Sequence, residues 1–269
     1  MSNNTKFRPE IAPPQLSDNA FAITPGMLAK VKRRLAPALS RRERTISLKK
    51  SIISLTFDDF PQSIMEHALP LLNERGWKAT FYVAAGLENV SNHLGKHYSR
   101  DDLLKLKDQG HEIACHTYHH VNVNEISSEQ MDQEIRMNAA ALKDMGVKAS
   151  LKHFAYPFGE TNGEKKNQLS HDFTSMRGII PGIHREVVDL NQLNSVPVFS
   201  GLKLQVALDY IHKIAEAPGW LTLFTHDIRT YPSPWGCTPE DFKLTIEAME
   251  KSGSDILTIG DALAEMGII

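Results

Sequence analysis

Cysteine is nearly absent from this chain. Cys115 and Cys237 are the two it has in 269 residues, too few for a disulfide framework, and the pattern fits a reducing compartment. An excess of charge of one sign is missing as well, since 30 Lys and Arg stand against 32 Asp and Glu. A formal net charge of -2 gives no sign of a polyanionic partner, and nucleic acid is not expected. No apolar run reaches the roughly eighteen residues of a membrane-spanning helix. The opening MSNNTKFRPEIAPPQLSDNA has no basic start leading into an apolar stretch. No signal peptide is therefore expected, and the cytoplasm is the expected location. Internal repeats and low-complexity tracts are lacking too, which argues against a solenoid.

What is present is alternation. From residue 51 onward, short apolar runs alternate with helical patterns, as in an α/β chain with mainly parallel strands. Strands are expected in SIISLTF, ATFYVAA, HEIACH, HFAYP, SMRGII, SVPVF, WLTLFTH and ILTI. Helices are expected from Gln62 to Arg75, in SRDDLLKLKDQG, from Ser127 to Met145, from Leu202 to Ala217, from Thr238 onward and in DALAEMG. Seven or eight such strands close most naturally into an α/β fold of the distorted (β/α)7-type barrel kind. Residues 51–269 would form this domain.

Residues 1–50 read as an appendage, with nine Lys or Arg and one acid between Lys30 and Lys50. Leu28, Val31, Leu35 and Leu39 can line one side of a helix that packs on the barrel, with Lys32, Arg33 and Arg34 outward and Pro37 interrupting it. The alternative for the basic face is contact with anionic lipid headgroups or a phosphorylated lipid carrier.

Chemistry concentrates in two segments. Thr56-Phe57-Asp58-Asp59 closes the first apolar run, and His116-Thr117-Tyr118-His119-His120 closes the third. Asp59, His116 and His120 can supply three ligands to one metal and leave a position open, the arrangement of catalytic zinc sites. Asp58 then remains free as a base. Two imidazoles and a carboxylate suit Zn2+ first, with Co2+, Ni2+ or Mn2+ as alternatives. The same donors form the facial triad of non-haem iron oxygenases, a chemistry that needs neither Asp58 nor a histidine acid beside the metal. Asp58, Asp59, His116, Tyr156, Pro157 and His226 all fall at or just past strand C-terminal ends, where α/β barrels gather their chemistry.

TFDD, HTYHH, AYPFG and LFTH, taken in this order, resemble the polysaccharide deacetylases, carbohydrate esterase family 4 with the nodulation-type deacetylase homology domain. The resemblance implies Asp58 as base, Asp59, His116 and His120 as metal ligands, and the Phe158 backbone N–H as an oxyanion donor. It implies His226 as the acid that protonates the leaving amine. Leu223 would lie near the acetyl pocket, with Tyr156 and Pro157 as further substrate contacts. Many members place an arginine two residues before the third-motif proline to orient the base, whereas this chain has Ala155. Arg177, on a later strand, is the candidate replacement. Thr117 is a candidate to hold one imidazole, and Asp189 to orient His226. His119 is expected to point elsewhere, and Asp227 to bind substrate or cap a turn. Tyr231 and Trp235, in RTYPSPWGCTP, are candidates for an aromatic wall that stacks on sugar.

The implied reaction is hydrolysis of an N-acetyl or other N-acyl group on an amino sugar of a poly- or oligosaccharide or a lipid-linked glycan. Within the superfamily the alternatives are a non-sugar amide such as a cyclic ureide or imide, deformylation of a lipid-linked aminosugar, and a non-catalytic glycan-binding member. Oligomeric state is not readable.

Overall fold

The computed structural model describes residues 36–147 and 151–269. Seven parallel strands form the body: β1 (Ile52–Asp58), β2 (Thr80–Val83), β3 (Glu112–Cys115), β4 (His153–Ala155), β5 (Ser175–Arg177), β6 (Val196–Pro197) and β7 (Trp220–Thr225). Their order across the sheet is β6-β7-β1-β2-β3-β4-β5, every neighbouring pair parallel. An isolated parallel bridge joins Arg177 to Leu193, three residues ahead of β6, and brings the two sheet edges together. The sheet thus curls into a distorted (β/α) barrel. Asp255–Ile256 adds in parallel to the start of β1, and Ile183–His184 runs antiparallel to the start of β7.

Helices follow the strands: α1 (Ser63–His67), α2 (Leu69–Glu74), α3 (Arg100–Asp108), α4 (Ser128–Asp144), α5 (Gly163–Leu169), α6 (Leu202–Glu216), α7 (Pro239–Lys251) and α8 (Ile259–Glu265). The expected single helix after β1 is two. Pro70, inside the first turn of α2, has no N–H to continue α1, so the chain restarts at Ala68. Capping boxes at Ser99 and Ser127 start α3 and α4. The expected ILTI strand shortens because the Thr258 hydroxyl accepts the Asp261 N–H at 3.1 Å and caps α8 instead.

Strand parity sorts the core into two layers. Ile53, Leu55, Phe57, Leu221 and Leu223 face outward onto Leu204, Ala207, Ile211 and Ile214 of α6 and Phe242, Ile246 and Met249 of α7. Ile52, Tyr82, Ala114, Ala155 and Trp220 face inward and meet Ile259, Ala262 and Leu263 of α8. The N–H of Ile259 donates to Thr80 Oγ1 at 2.9 Å, and that of Gly260 donates to Glu112 Oε1 at 3.2 Å. Thr80 and Glu112 are the first residues of β2 and β3. α8 therefore seals the N-terminal mouth of the barrel and leaves the opposite end for chemistry.

Most of the helix expected around Leu28, Val31, Leu35, Lys32, Arg33 and Arg34 lies outside the described residues. Within them, Ala36–Ala38 is a single 3-10 turn and Leu39 is 48% exposed rather than packed. The following segment does dock on the barrel. Glu43–Thr45 pairs antiparallel with Val187–Asp189, and the Arg42 guanidinium donates to the Ser170, Phe173 and Thr174 carbonyls. Among the described residues no helix is long and apolar enough to cross a membrane.

Candidate active site

Five strands deliver the site. Asp58 is the last residue of β1 and faces inward by the two-residue alternation that buries Ile52, Ser54 and Thr56 beside it. The chain then turns sharply. Asp59 and Phe60 both sit in the left-handed region, at φ 62° and 56°, a conformation that costs about 1–3 kcal/mol per non-glycine residue. The Phe60 ring anchors this turn by stacking on Tyr98, with centroids 5.0 Å apart, and by an edge contact to Phe81 at 5.2 Å. Thr117, His120 and Phe158 are left-handed too, so backbone strain collects in the segments that sequence analysis singled out.

Asp59, His116 and His120 converge. His116 Nε2 lies 3.6 Å and His120 Nε2 3.3 Å from Asp59 Oδ1. Ligand atoms of the three lie within 4.8 Å of one another, and all three residues are buried. Both Asp59 carboxylate oxygens are buried without a hydrogen-bond partner, an arrangement that costs several kcal/mol unless a cation compensates it. His116 Nδ1 faces the Ala155 carbonyl at 2.9 Å, so that nitrogen carries the proton and Nε2 presents its lone pair. Donor type, direction and unmet charge all fit a divalent cation. Burial holds the His116 imidazole down at about 4 and that of His120 at about 3, keeping both neutral as ligands must be.

Asp58 stands beside this cluster. Arg177 reaches it from β5, and a guanidinium N–H donates to Asp58 Oδ2. Arg177 is fully buried, lies over the Tyr82 ring at 5.1 Å and the Phe224 ring at 4.8 Å, and donates to the Gly178 carbonyl at 3.0 Å. Burial pushes the Asp58 carboxyl up, but Arg177, with His116 and His226, outweighs it and holds the group below its ordinary value. The guanidinium missing beside the third-motif proline is thus present at the base, supplied by a different strand.

His226 follows β7. Its Nδ1 faces the Trp235 carbonyl at 3.0 Å and its Nε2 points toward Asp58 Oδ2 at 3.9 Å. The expected orienting group, Asp189, is elsewhere, bonded to Lys166 Nζ at 3.2 Å and to the Arg42 N–H at 2.9 Å. Asp227 caps a turn. Buried, it accepts from the Ser233 N–H at 2.8 Å and Arg229 Nε at 2.7 Å, which fixes the loop that presents Trp235. Gly236 is required there, because a Cβ would come within 2.2 Å of the Asp227 carbonyl oxygen.

A cavity of about 220 Å³ opens over these groups, lined by Asp58, Asp59, His116, His120, Tyr156, Phe158, His226 and Trp235 among others. Several expected contacts are corrected by geometry. Leu223 faces the outer core, and its neighbour Phe224 lines the cavity, as alternation back from His226 requires. Pro157 is buried away from the wall and opens the short turn, Pro157–Gly159, that presents Phe158. Tyr156 lines the cavity, but its hydroxyl donates inward to the Asn191 carbonyl at 2.9 Å. Tyr231 is 87% exposed and outside the cavity, so Trp235 alone of the expected aromatic wall is part of it. Thr117 holds no imidazole, since its hydroxyl accepts the Val121 N–H at 3.2 Å and closes the loop. Sequence reasoning missed His93, Leu94, Ile179, Pro181, Phe199 and Lys203, which complete the wall.

A sequence model described as "Polysaccharide deacetylase" matches residues 45–173, a span that contains both carboxylates and both imidazoles. Over those 129 of its 269 residues the chain resembles the polysaccharide deacetylase family. Among curated proteins, the chain is 30% identical over 130 residues to a bifunctional xylanase/deacetylase of Pseudobutyrivibrio xylanivorans, covering 48% of this chain and 20% of that protein. It is 29% identical over 89 residues to a chitin deacetylase of Colletotrichum lindemuthianum, covering 32% and 33%. The matches thus span a third or less of these relatives' own length. Among solved structures it shares its fold with a family 4 acetyl xylan esterase from Clostridium thermocellum, in complex with a cobalt ion. That pair has a TM-score of 0.60, 22% identity and 81% and 93% coverage. The chitin deacetylase structure from C. lindemuthianum gives 0.59, 17%, 81% and 89%.

Acid should unfold the protein by way of histidines outside the cavity. Burial holds His111 and His184 at about 4. His111 Nδ1 accepts the Ala79 N–H at 3.1 Å and His184 Nε2 accepts the Asn194 N–H at 3.0 Å, bonds that only the neutral ring can make. The unfolded chain binds these protons near pH 6.5 and the folded chain only near 4. Their stability is therefore complete above about 6.5 and is lost as pH falls toward 4, on the order of 5 kcal/mol for the two. Thermal melts in a chelator should show the midpoint dropping steeply across that window; a flat midpoint from pH 7 to 4.5 would refute it.

Proposed function

We propose that this protein hydrolyses the N-acetyl group of an amino sugar within a poly- or oligosaccharide or a lipid-linked glycan, using a divalent cation, Zn2+ in the first place. The observation that carries the reading is the Asp59–His116–His120 cluster, with its unmet carboxylate charge, set beside an Asp58 carboxylate fixed by Arg177. Asp59, His116 and His120 would hold the cation, which would supply Lewis-acid polarisation of the amide carbonyl and a lowered pKa for water at the site. Asp58, kept ionised by Arg177, takes a proton from the attacking water, whose oxygen bonds to the carbonyl carbon. The Phe158 main chain, at the cavity wall, would steady the oxyanion. The C–N bond breaks as His226, aligned through Trp235, delivers a proton to nitrogen. Acetate and the free amine leave.

The predominance of apolar groups in the wall, among them Leu94, Ile179, Phe199 and Phe224, supports one second reading, in which a compact non-sugar amide such as a cyclic ureide or imide is the substrate. A cytoplasmic setting is proposed with the function, supported by two buried free thiols, Cys115 and Cys237. The test is acetate release from chitooligosaccharides before chelation, after it, and with Zn2+, Co2+, Ni2+ or Mn2+ restored. Activity should vanish with the metal and return with it. Turnover of ureides alone would favour the second reading, and glycan binding without acetate at any metal would replace both with a non-catalytic binder.

A further inference from the structure

The two imidazoles of the cluster stand at either end of a five-residue loop whose backbone is left-handed at both Thr117 and His120, φ 61° and 55°. Such a loop keeps its shape only while its surroundings hold it. The Thr117–Val121 contact and the Gly86 N–H, which donates to the Tyr118 carbonyl at 2.9 Å, hold part of it, and the residue that binds the most of its donors is on α4. Glu134, 9% exposed, accepts the Tyr118 N–H at 2.9 Å and the His119 N–H at 2.8 Å with Oε2. Its Oε1 accepts from His119 Nδ1 at 2.7 Å. His119 thus points away from the cavity, and its ring serves the clamp. Bonds from a buried carboxylate to three donors are charge-assisted and directional.

The clamp is itself anchored. Asn138 lies one turn further along the same face of α4. Its side-chain oxygen accepts the Ala85 N–H at 2.7 Å, and its nitrogen donates to the Val83 carbonyl at 2.9 Å and to Cys115 Sγ at 3.3 Å. α4 is thereby pinned to the ends of β2 and β3, the strands that flank the site.

We infer that Glu134 is a positioning residue: from α4 it fixes the main chain of residues 118–119 so that His116 and His120 meet Asp59, and so sets the affinity for the cation. The inference rests on the cluster being a metal site. With Glu134 truncated, the loop is free to relax, and cation binding must order it again at the expense of affinity. Groups that orient metal ligands are typically worth 10–100-fold in affinity.

The experiment measures Co2+ affinity by competition with a chromophoric chelator, together with the visible Co2+ spectrum, for wild type, Glu134→Ala, Glu134→Gln and His119→Ala. Glu134→Ala should bind about 10–100-fold more weakly, with altered absorption bands when saturated. Glu134→Gln keeps an oxygen for the two main-chain N–H groups and should recover most of the loss even if the alanine variant folds poorly. His119→Ala should change affinity by less than about threefold, because the main-chain bonds remain. Wild-type affinity and spectrum in both Glu134 variants would overturn the inference and leave the metal site standing. Absence of Co2+ binding by wild type would instead sink the metal reading, and the inference with it.

Discussion

Replacing Asp58 with asparagine is expected to lower deacetylation by about 10²–10⁴-fold, the usual worth of a general base, while leaving cation affinity within a few-fold of wild type. The expectation follows from a division of labour between adjacent carboxylates. Asp59 faces the two imidazoles, whereas Asp58 faces Arg177 and the Nε2 of His226. Asparagine fits the same space and still accepts a guanidinium N–H, so the fold should survive. The readouts are kcat on an acylated amino sugar and cation affinity by chelator competition. Equal loss of both would mean that Asp58 is a ligand, and loss of neither would remove it from the reaction.

Arg177→Met should have the second large effect, and on two quantities at once. Arg177 is buried with Asp58, and removing one partner of a buried pair leaves an uncompensated charge, at a cost of about 3–5 kcal/mol. Chemical denaturation should show that loss at pH 7. The same guanidinium holds the Asp58 carboxyl below its ordinary value. Without it the base gains its proton at higher pH, and the acidic limb of kcat/KM moves upward. Combining Arg177→Met with Asp58→Asn should return part of the stability, because the orphaned charge is gone. An unchanged acidic limb would show that Arg177 does not tune the base.

The barrel was legible because buried parallel strands read as continuous apolar runs and the helices carry caps and a 3.6-residue period. The two Asp and two His were legible because strand ends are where this fold concentrates polar side chains. Leu223 was expected in place of Phe224, although counting back in twos from His226 would have selected Phe224. Other parts had no such signal. Arg177 was named only because Ala155 leaves the third motif without its guanidinium; its pairing with Asp58 joins strands far apart in the chain, and closure of the sheet brings them together. The carbonyls of Ala155 and Trp235 orient imidazoles through the main chain, where residue identity carries no information. Glu134 sits on a helix face where an acid ordinarily reads as solvated. The segment bearing His93 and Leu94 pairs through strands of two residues each, Ser91–Asn92 and Gly95–Lys96, too short to show a pattern.

The seal that α8 makes across the N-terminal mouth has a kinetic corollary. With Ile259, Ala262 and Leu263 plugging one end and Trp220 filling the bore above them, the described residues close the cavity from below, and substrate reaches it from the opposite rim. On the proposed reading the acyl group is cleaved beside Asp58, deep in the cavity, and the sugar lies nearer the rim. The amine-bearing product should therefore depart before the carboxylate, and added acetate, able to reoccupy the bottom of an empty cavity, should slow turnover by competing with fresh substrate.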